Sequence, residues 1–136
     1  MHRVFVDTVA WIALLNASDE LHSDAQRVMK TLHQQKVWLV TTEFVLLEVA
    51  NALSAPPYRS QTITFINGWR RLAVLHIVPA SQELLAQGWT LFSQRADKEW
   101  SLTDCTSFWL MTEEGIVRAF TSDHHFEQAG FTRLLK

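Results

Sequence analysis

Cysteine is almost absent. Cys105 stands alone, which excludes an intramolecular disulfide and any zinc site built on cysteines, and fits a reducing, cytosolic compartment. A basic excess is missing too: twelve Lys and Arg face fourteen Asp and Glu, a formal charge of −2. Proteins that hold nucleic acid through its backbone usually leave a basic footprint, and this total carries none. Long apolar runs are the third absence. No stretch reaches the ~18 residues of a membrane span, and the apolar run in the leading MHRVFVD is too short for a signal sequence. The expectation is a soluble, cytoplasmic protein with no membrane association. Internal repeats, low-complexity tracts and linkers are lacking as well, so the chain reads as a single domain over 1–136.

What is present is ordinary globular composition, 136 residues with 48% hydrophobic and 19% charged, enough for a full core. Six Trp and eight Phe are a heavy aromatic load. Most belong in the core by burial preference, with some left for an interface.

Apolar runs and helical periodicities alternate along the chain. Val4–Val6, Val37–Val40, Val74–Val78 and Ile116–Thr121 read as strands, with a last edge strand within Phe131–Leu135. Between them lie helices over Thr8–Leu15, Glu20–Gln35, Thr42–Leu53, Ser60–Leu72, Ser81–Arg95 and Leu102–Gly115, and a short one after Asp123. Ser18 or Asp19 is a candidate N-cap for the second helix, and Thr41-Thr42 for the third. Pro56-Pro57 closes the third. Strands joined by helical crossovers imply an α/β fold with a mainly parallel sheet of four to five strands and helices on both faces.

Four acids stand out by context. Asp7 and Asp123 each follow an apolar strand, which places them at the carboxyl rim where ligands bind in open α/β sheets. Glu48 lies in the otherwise apolar Phe44–Ala50, where an unpaired charge is expensive. Asp104 opens a helix between apolar neighbours. Each has a structural explanation by itself: Asp7, Asp104 and Asp123 as helix caps or first-turn acids, Glu48 as the partner of a buried arginine. Together they occupy places from which they could converge. Clustered carboxylates raise one another's pKa unless a cation neutralises them, and hard oxygen donors suit Mg²⁺ or Mn²⁺. Such an ion activates water and steadies charge on phosphorus. Metal-dependent phosphodiester hydrolysis is the chemistry this implies. With four acids so used, ten would face twelve bases elsewhere.

The order Phe5-Val6-Asp7-Thr8, Thr42-x5-Glu48, Leu102-Thr103-Asp104-Cys105 and Thr121-x-Asp123-x2-Phe126-x3-Gly130-Phe131 resembles the PIN domain family, and within it the VapC-type toxin ribonucleases. The resemblance covers the whole chain. It implies a PIN-like α/β/α sandwich, a Mg²⁺- or Mn²⁺-dependent endoribonuclease acting on RNA, often a homodimer, and a small antitoxin partner of a type II toxin–antitoxin pair. Carried over, Asp7, Glu48, Asp104 and Asp123 form the catalytic, metal-holding quartet, with Thr8 and Thr121 as polar supports. Many relatives have a further acid or Asn just after the fourth aspartate. Here His124 and His125 stand there, which leaves a second metal site open.

Other residues are weaker candidates. Asn51, one turn after Glu48, could bond that carboxylate or the substrate. Arg95 and Lys98 precede Asp104 and are candidates for phosphate contacts, as are Arg70 and Arg71. His124 and His125, adjacent at a helix start, are expected to point apart. Cys105 reads as a small buried residue, not a nucleophile. Trp11, Phe65 and Trp69 suit either base stacking or, preferably, a groove for a partner helix. An aspartyl-nucleophile phosphatase would want a second acid two residues after Asp7, where Val9 stands. A PIN-like binding module without turnover is the alternative from another class.

Overall fold

The computed structural model describes residues 2–136. Five strands, β1 (Arg3–Val6), β2 (Trp38–Thr42), β3 (Leu75–Val78), β4 (Arg118–Phe120) and β5 (Thr132–Arg133), form one sheet of order β3-β2-β1-β4-β5. Every pairing is parallel. The helices are α1 (Thr8–Leu15), α2 (His22–Gln34), α3 (Glu43–Ala52), α4 (Pro56–Trp69), α5 (Gln82–Gln94), α6 (Leu102–Glu114) and α7 (His124–Gln128). The expected α/β sandwich around a parallel sheet is what forms.

Strand order explains where function can lie. From β1 the chain builds outward through β2 and β3, then returns to place β4 and β5 on the other side of β1. The reversal between β1 and β4 is a topological switch point, where the loops leaving adjacent strands diverge and open a crevice at the carboxyl ends. Asp7 and Thr121–Asp123 are the residues that leave those two strands.

The core explains why the rim is rigid. Val4, Phe5 and Val6 are fully buried, as are Phe120 and Phe126. The Phe126 ring meets Phe108 edge-on at 4.8 Å and lies 6.4 Å from Phe5. It thereby pins the short α7 to the sheet and to α6. After α7, Gly130 takes a left-handed φ of 97°, which turns the chain into β5 at no steric cost.

Several boundaries differ from the sequence reading. Pro56 and Pro57 begin α4 besides ending α3, with proline in its first turn, where its missing N–H costs nothing. α2 starts at His22 without a side-chain cap. Asp19 instead bonds the Leu21 N–H at 2.9 Å, shaping the turn ahead of the helix. β4 is shorter than expected at both ends, Arg118–Phe120 instead of Ile116–Thr121, with the Thr121 hydroxyl bonded to Asp7. Thr42 and Ser81 cap α3 and α5 as expected, accepting from the N–H groups of Val45 and Leu84.

Gly88, tolerated in α5 at a propensity cost, has a packing reason. A Cβ there would lie 2.4 Å from Cγ2 and 3.1 Å from Cα of Thr106, so α5 approaches α6 more closely than any side chain permits. Gly88→Ala is expected to lower stability by roughly 1–3 kcal/mol through overpacking, measured as a fall in the thermal denaturation midpoint. It should also weaken activity, since the displaced helix carries Asp104.

Candidate active site

Asp7 is 3% exposed. Its N–H donates to the Phe120 carbonyl at 3.1 Å, locking the end of β1 to β4. It occupies the N-cap position of α1, yet its side chain makes no capping bond. Instead Oδ2 accepts from the Thr121 hydroxyl at 2.8 Å. That same oxygen of buried Thr121 accepts the N–H of Asp123 at 3.1 Å, so one side chain joins the ends of both strands. On the other flank, Thr8 donates to Oε1 of Glu48 at 2.5 Å. No buried arginine pairs with Glu48 among the described residues.

Asp104 and Asp123 each combine a structural role with a place at the site. Asp104 is the third residue of α6 and closes a reciprocal capping box with Ser101, whose hydroxyl accepts its N–H at 3.0 Å. The spacing Ser101-x-x-Asp104 is a readable box signature. Asp123 caps α7 by accepting the N–H of His125 at 2.9 Å. The ring of His125 then folds back, with Nδ1 3.3 Å from Oδ1 of Asp123 and 3.6 Å from Oδ2 of Asp104.

Asp7 and Asp104 feel the neighbouring acids. Burial, and then the charge of Asp104, push the Asp7 carboxyl up to about 7, with Glu48 adding to the rise and the Thr121 hydroxyl opposing it. Asp104 is raised by burial first, then by Asp123 and Glu48; the Ser101 N–H and His125 oppose. The charges acting on Asp7 are all negative. Among the described residues no lysine or arginine contributes to the charges acting on Asp7, so carboxylates placed this way are donors that a divalent cation would suit.

The remaining candidates sort as follows. Asn51 is exposed and makes no bond to Glu48; its carbonyl accepts from Ser54. Arg95 is bonded to Asp97 at 3.0 and 3.1 Å and lies 5.0 Å above the Trp100 ring, which Lys98 approaches at 6.0 Å. The two cations line a cleft of about 350 Å³ that reaches Cys105, next to Asp104. Arg70 and Arg71 are exposed at the end of α4. Cys105 is buried and its thiol is pushed up to about 11 by burial and by Asp104, which removes it as a nucleophile.

The histidine pair departs from expectation. The two rings do not point apart but lie 4.4 Å between centroids. Asp123, His124 and His125 together can present ligand atoms within 4.8 Å of one another. The turn at Asp123 brings Nδ1 of both rings to within 3.9 Å of the same carboxylate oxygen. They differ in burial, with His124 65% exposed and His125 18%.

With this geometry the comparisons are unambiguous. A PIN domain family model matches residues 4–132. The chain belongs to the PIN domain family. It is 29% identical over 131 residues to the 23S rRNA-specific endonuclease VapC20 of Mycobacterium tuberculosis, covering 96% of this chain and 97% of that protein. The crystal structure of that sarcin-ricin-loop-cleaving toxin superposes with a TM-score of 0.83 at 30% identity, over 95% of this chain and 96% of the other. Two solved structures share the fold at lower identity. The DNA-bound VapBC of Salmonella typhimurium gives a TM-score of 0.70 at 11% identity, over 98% and 97% of the two chains. FitAcB of Neisseria gonorrhoeae gives 0.66 at 14%, over 96% and 95%. This PIN domain is therefore VapC-like over nearly all of its described length.

The buried acids set a pH dependence. The folded Asp7 holds its proton to about 7, whereas the unfolded chain releases it near 3.8. The folded state thus binds more protons over that window, and this group's contribution to stability falls as pH rises through it. In EDTA, Asp7→Asn is expected to raise the melting temperature at about pH 8, by roughly 2 kcal/mol or about 5 °C. The gain should fall by roughly half at about pH 5 and vanish as pH drops below the unfolded value of 3.8. Melting curves at the two pH values check this.

Proposed function

We propose that this PIN domain is a divalent-metal-dependent endoribonuclease, the toxin of a type II toxin–antitoxin pair. The observation that carries the reading is the pair of buried carboxylates Asp7 and Asp104 at the β1/β4 switch point, each raised by burial and by neighbouring acids, with half-buried Glu48 and Asp123 beside them. Their oxygens would hold Mg²⁺ or Mn²⁺. A bound cation supplies Lewis acidity, lowering the pKa of water and neutralising charge that develops on the phosphoryl oxygens. The chain's own part is positioning. Thr121 holds Asp7 through Oδ2, Thr8 holds Glu48 through Oε1, and Ser101 holds Asp104 through its N–H. Each carboxylate is thus oriented before a cation arrives, which lowers the cost of assembling the site. Lys98 and Arg95 would meet the flanking phosphates, Arg95 by exchanging Asp97 for the RNA backbone, and exposed Asn51 is open to substrate.

RNA is the substrate class, and the name of the 29% identical relative makes 23S rRNA the first RNA to test. The purified protein, incubated with ribosomal RNA in Mg²⁺ or Mn²⁺, should cleave at discrete positions. Asp7→Asn and Asp104→Asn should each slow cleavage about a thousand-fold, the equivalent of several kcal/mol of lost charge stabilisation. Equal cleavage by wild type and both variants would refute the assignment. A wild type inert on every RNA, yet tightly bound to a protein partner, would favour a binding module.

The antitoxin belongs to the same reading. A groove of about 960 Å³ runs between α1, α2 and α4, with Trp11, Leu14, Met29, Trp38, Phe65 and Trp69 among its lining. Trp11 and Trp69 are buried, 4.2 Å apart, and form a floor, not a base-stacking surface. Lys30, His33 and Lys36 stand along it. This matches an amphipathic antitoxin helix with acidic residues flanking its apolar face. A homodimer is also part of the proposal: Leu85, Trp89 and Phe92 form an exposed apolar stripe on α5 at spacings of four and three, suited to a second copy. Phe65→Asp should abolish antitoxin binding in pull-down while leaving RNA cleavage within about threefold of wild type, because a buried charge in the groove removes only the docking energy.

A further inference from the structure

We propose that His125 is a nitrogen ligand in the metal site, so that this chain holds its cation with a mixed oxygen and imidazole donor set. The inference rests on the metal-dependent reading above and deepens it. The observation is the placement of one ring edge. Nδ1 of His125 lies 3.3 Å from Oδ1 of Asp123 and 3.6 Å from Oδ2 of Asp104. Adjacent ligand atoms of an octahedral shell with bonds of about 2.1–2.2 Å are separated by about 3 Å, the bond length times the square root of two. The two distances from Nδ1 are thus close to the edges of such a shell, and the Asp123 and His125 ligand atoms lie within one cluster that a cation could span.

The alternative, a histidine that merely pairs with acids, fits the contacts less well. The 3.6 Å approach to Asp104 is too long for a hydrogen bond. Asp123 already receives a capping bond from the backbone N–H of His125, at 2.9 Å. The ring is not needed for that cap, and the cap survives any change of side chain. His125 is 18% exposed, against 65% for His124, so the inner ring faces the acids while its neighbour faces solvent. His124 Nδ1 belongs to the same cluster, 3.9 Å from Asp123, but its side chain is largely exposed and only His125 also approaches Asp104.

A neutral imidazole in place of a carboxylate has two consequences. It removes one negative charge from a crowded site, easing the repulsion that burial amplifies around Asp7 and Asp104. It also favours cations with affinity for nitrogen. Mg²⁺ prefers oxygen and sheds water reluctantly, whereas affinity for nitrogen rises from Mn²⁺ toward Co²⁺ and Ni²⁺. The site should thus prefer Mn²⁺ over Mg²⁺ more strongly than an all-oxygen PIN site.

The test reads the ligand directly. Mn²⁺ is added to the full chain, and pulsed electron paramagnetic resonance is recorded for the coupling of a directly bound ¹⁴N. Wild type should show it, His124→Ala should keep it, and His125→Asn should lose it. The ratio of Mn²⁺ to Mg²⁺ affinity, measured by calorimetric titration, should fall about tenfold in His125→Asp. Mn²⁺ bound by wild type in an oxygen-only shell overturns this inference and leaves the nuclease reading standing. A coupling that follows His124 instead of His125 overturns it equally. Failure of wild type to bind Mn²⁺ at all removes both. The wild-type spectrum decides the matter even if a variant folds poorly.

Discussion

Asp7 brings a carboxylate into the interior at the end of β1, tied by its N–H to Phe120 and by Oδ2 to Thr121, and the surrounding structure accommodates that cost. Burial disfavours the charged form, so a proton or a cation must accompany it near neutral pH. Thr121 supplies one hydrogen bond, too little to offset desolvation. The neighbouring charges of Asp104 and Glu48 make matters worse. An arrangement this unfavourable for the empty fold is understandable where a cation is meant to complete it.

Around that constraint, side chains hold two jobs at once. Asp104 closes a capping box and Asp123 caps α7, so the structural reading of each acid is correct. Neither role excludes the other. A cap fixes the carboxylate by its backbone and by one oxygen, and a fixed carboxylate is the better ligand. Phe126 contributes at one remove: its burial against Phe5 and Phe108 sets the position of α7, and hence of Asp123 and His125.

The first helix links the site to the groove. α1 begins beside Asp7, its first residue Thr8 orients Glu48, and Trp11 one turn later forms the groove floor. The Trp11 indole N–H donates to Thr41, whose hydroxyl in turn bonds the Val6 carbonyl at 2.8 Å. A partner seated on the groove would therefore press on the residue immediately before Asp7. On the proposed function, partner docking and chemistry would share one short element.

The sequence by itself determined the element types and the acid set. Apolar runs ending in Asp7 and Thr121-x-Asp123, and a glutamate inside Phe44–Ala50, are local patterns that backbone periodicity and the cost of a buried charge make legible. The PIN resemblance followed from their order. Only the tertiary structure decided what depends on contacts between distant residues. It placed β4 beside β1, which makes two separate strand ends into one crevice. It made Thr121 the bridge between Asp7 and Asp123, committed Arg95 to Asp97, and left Asn51 apart from Glu48. It also folded His125 back over Asp104, twenty-one residues earlier in the chain. Spacing along a chain says which face a side chain leaves from; the turn that Asp123 imposes decides where the ring arrives.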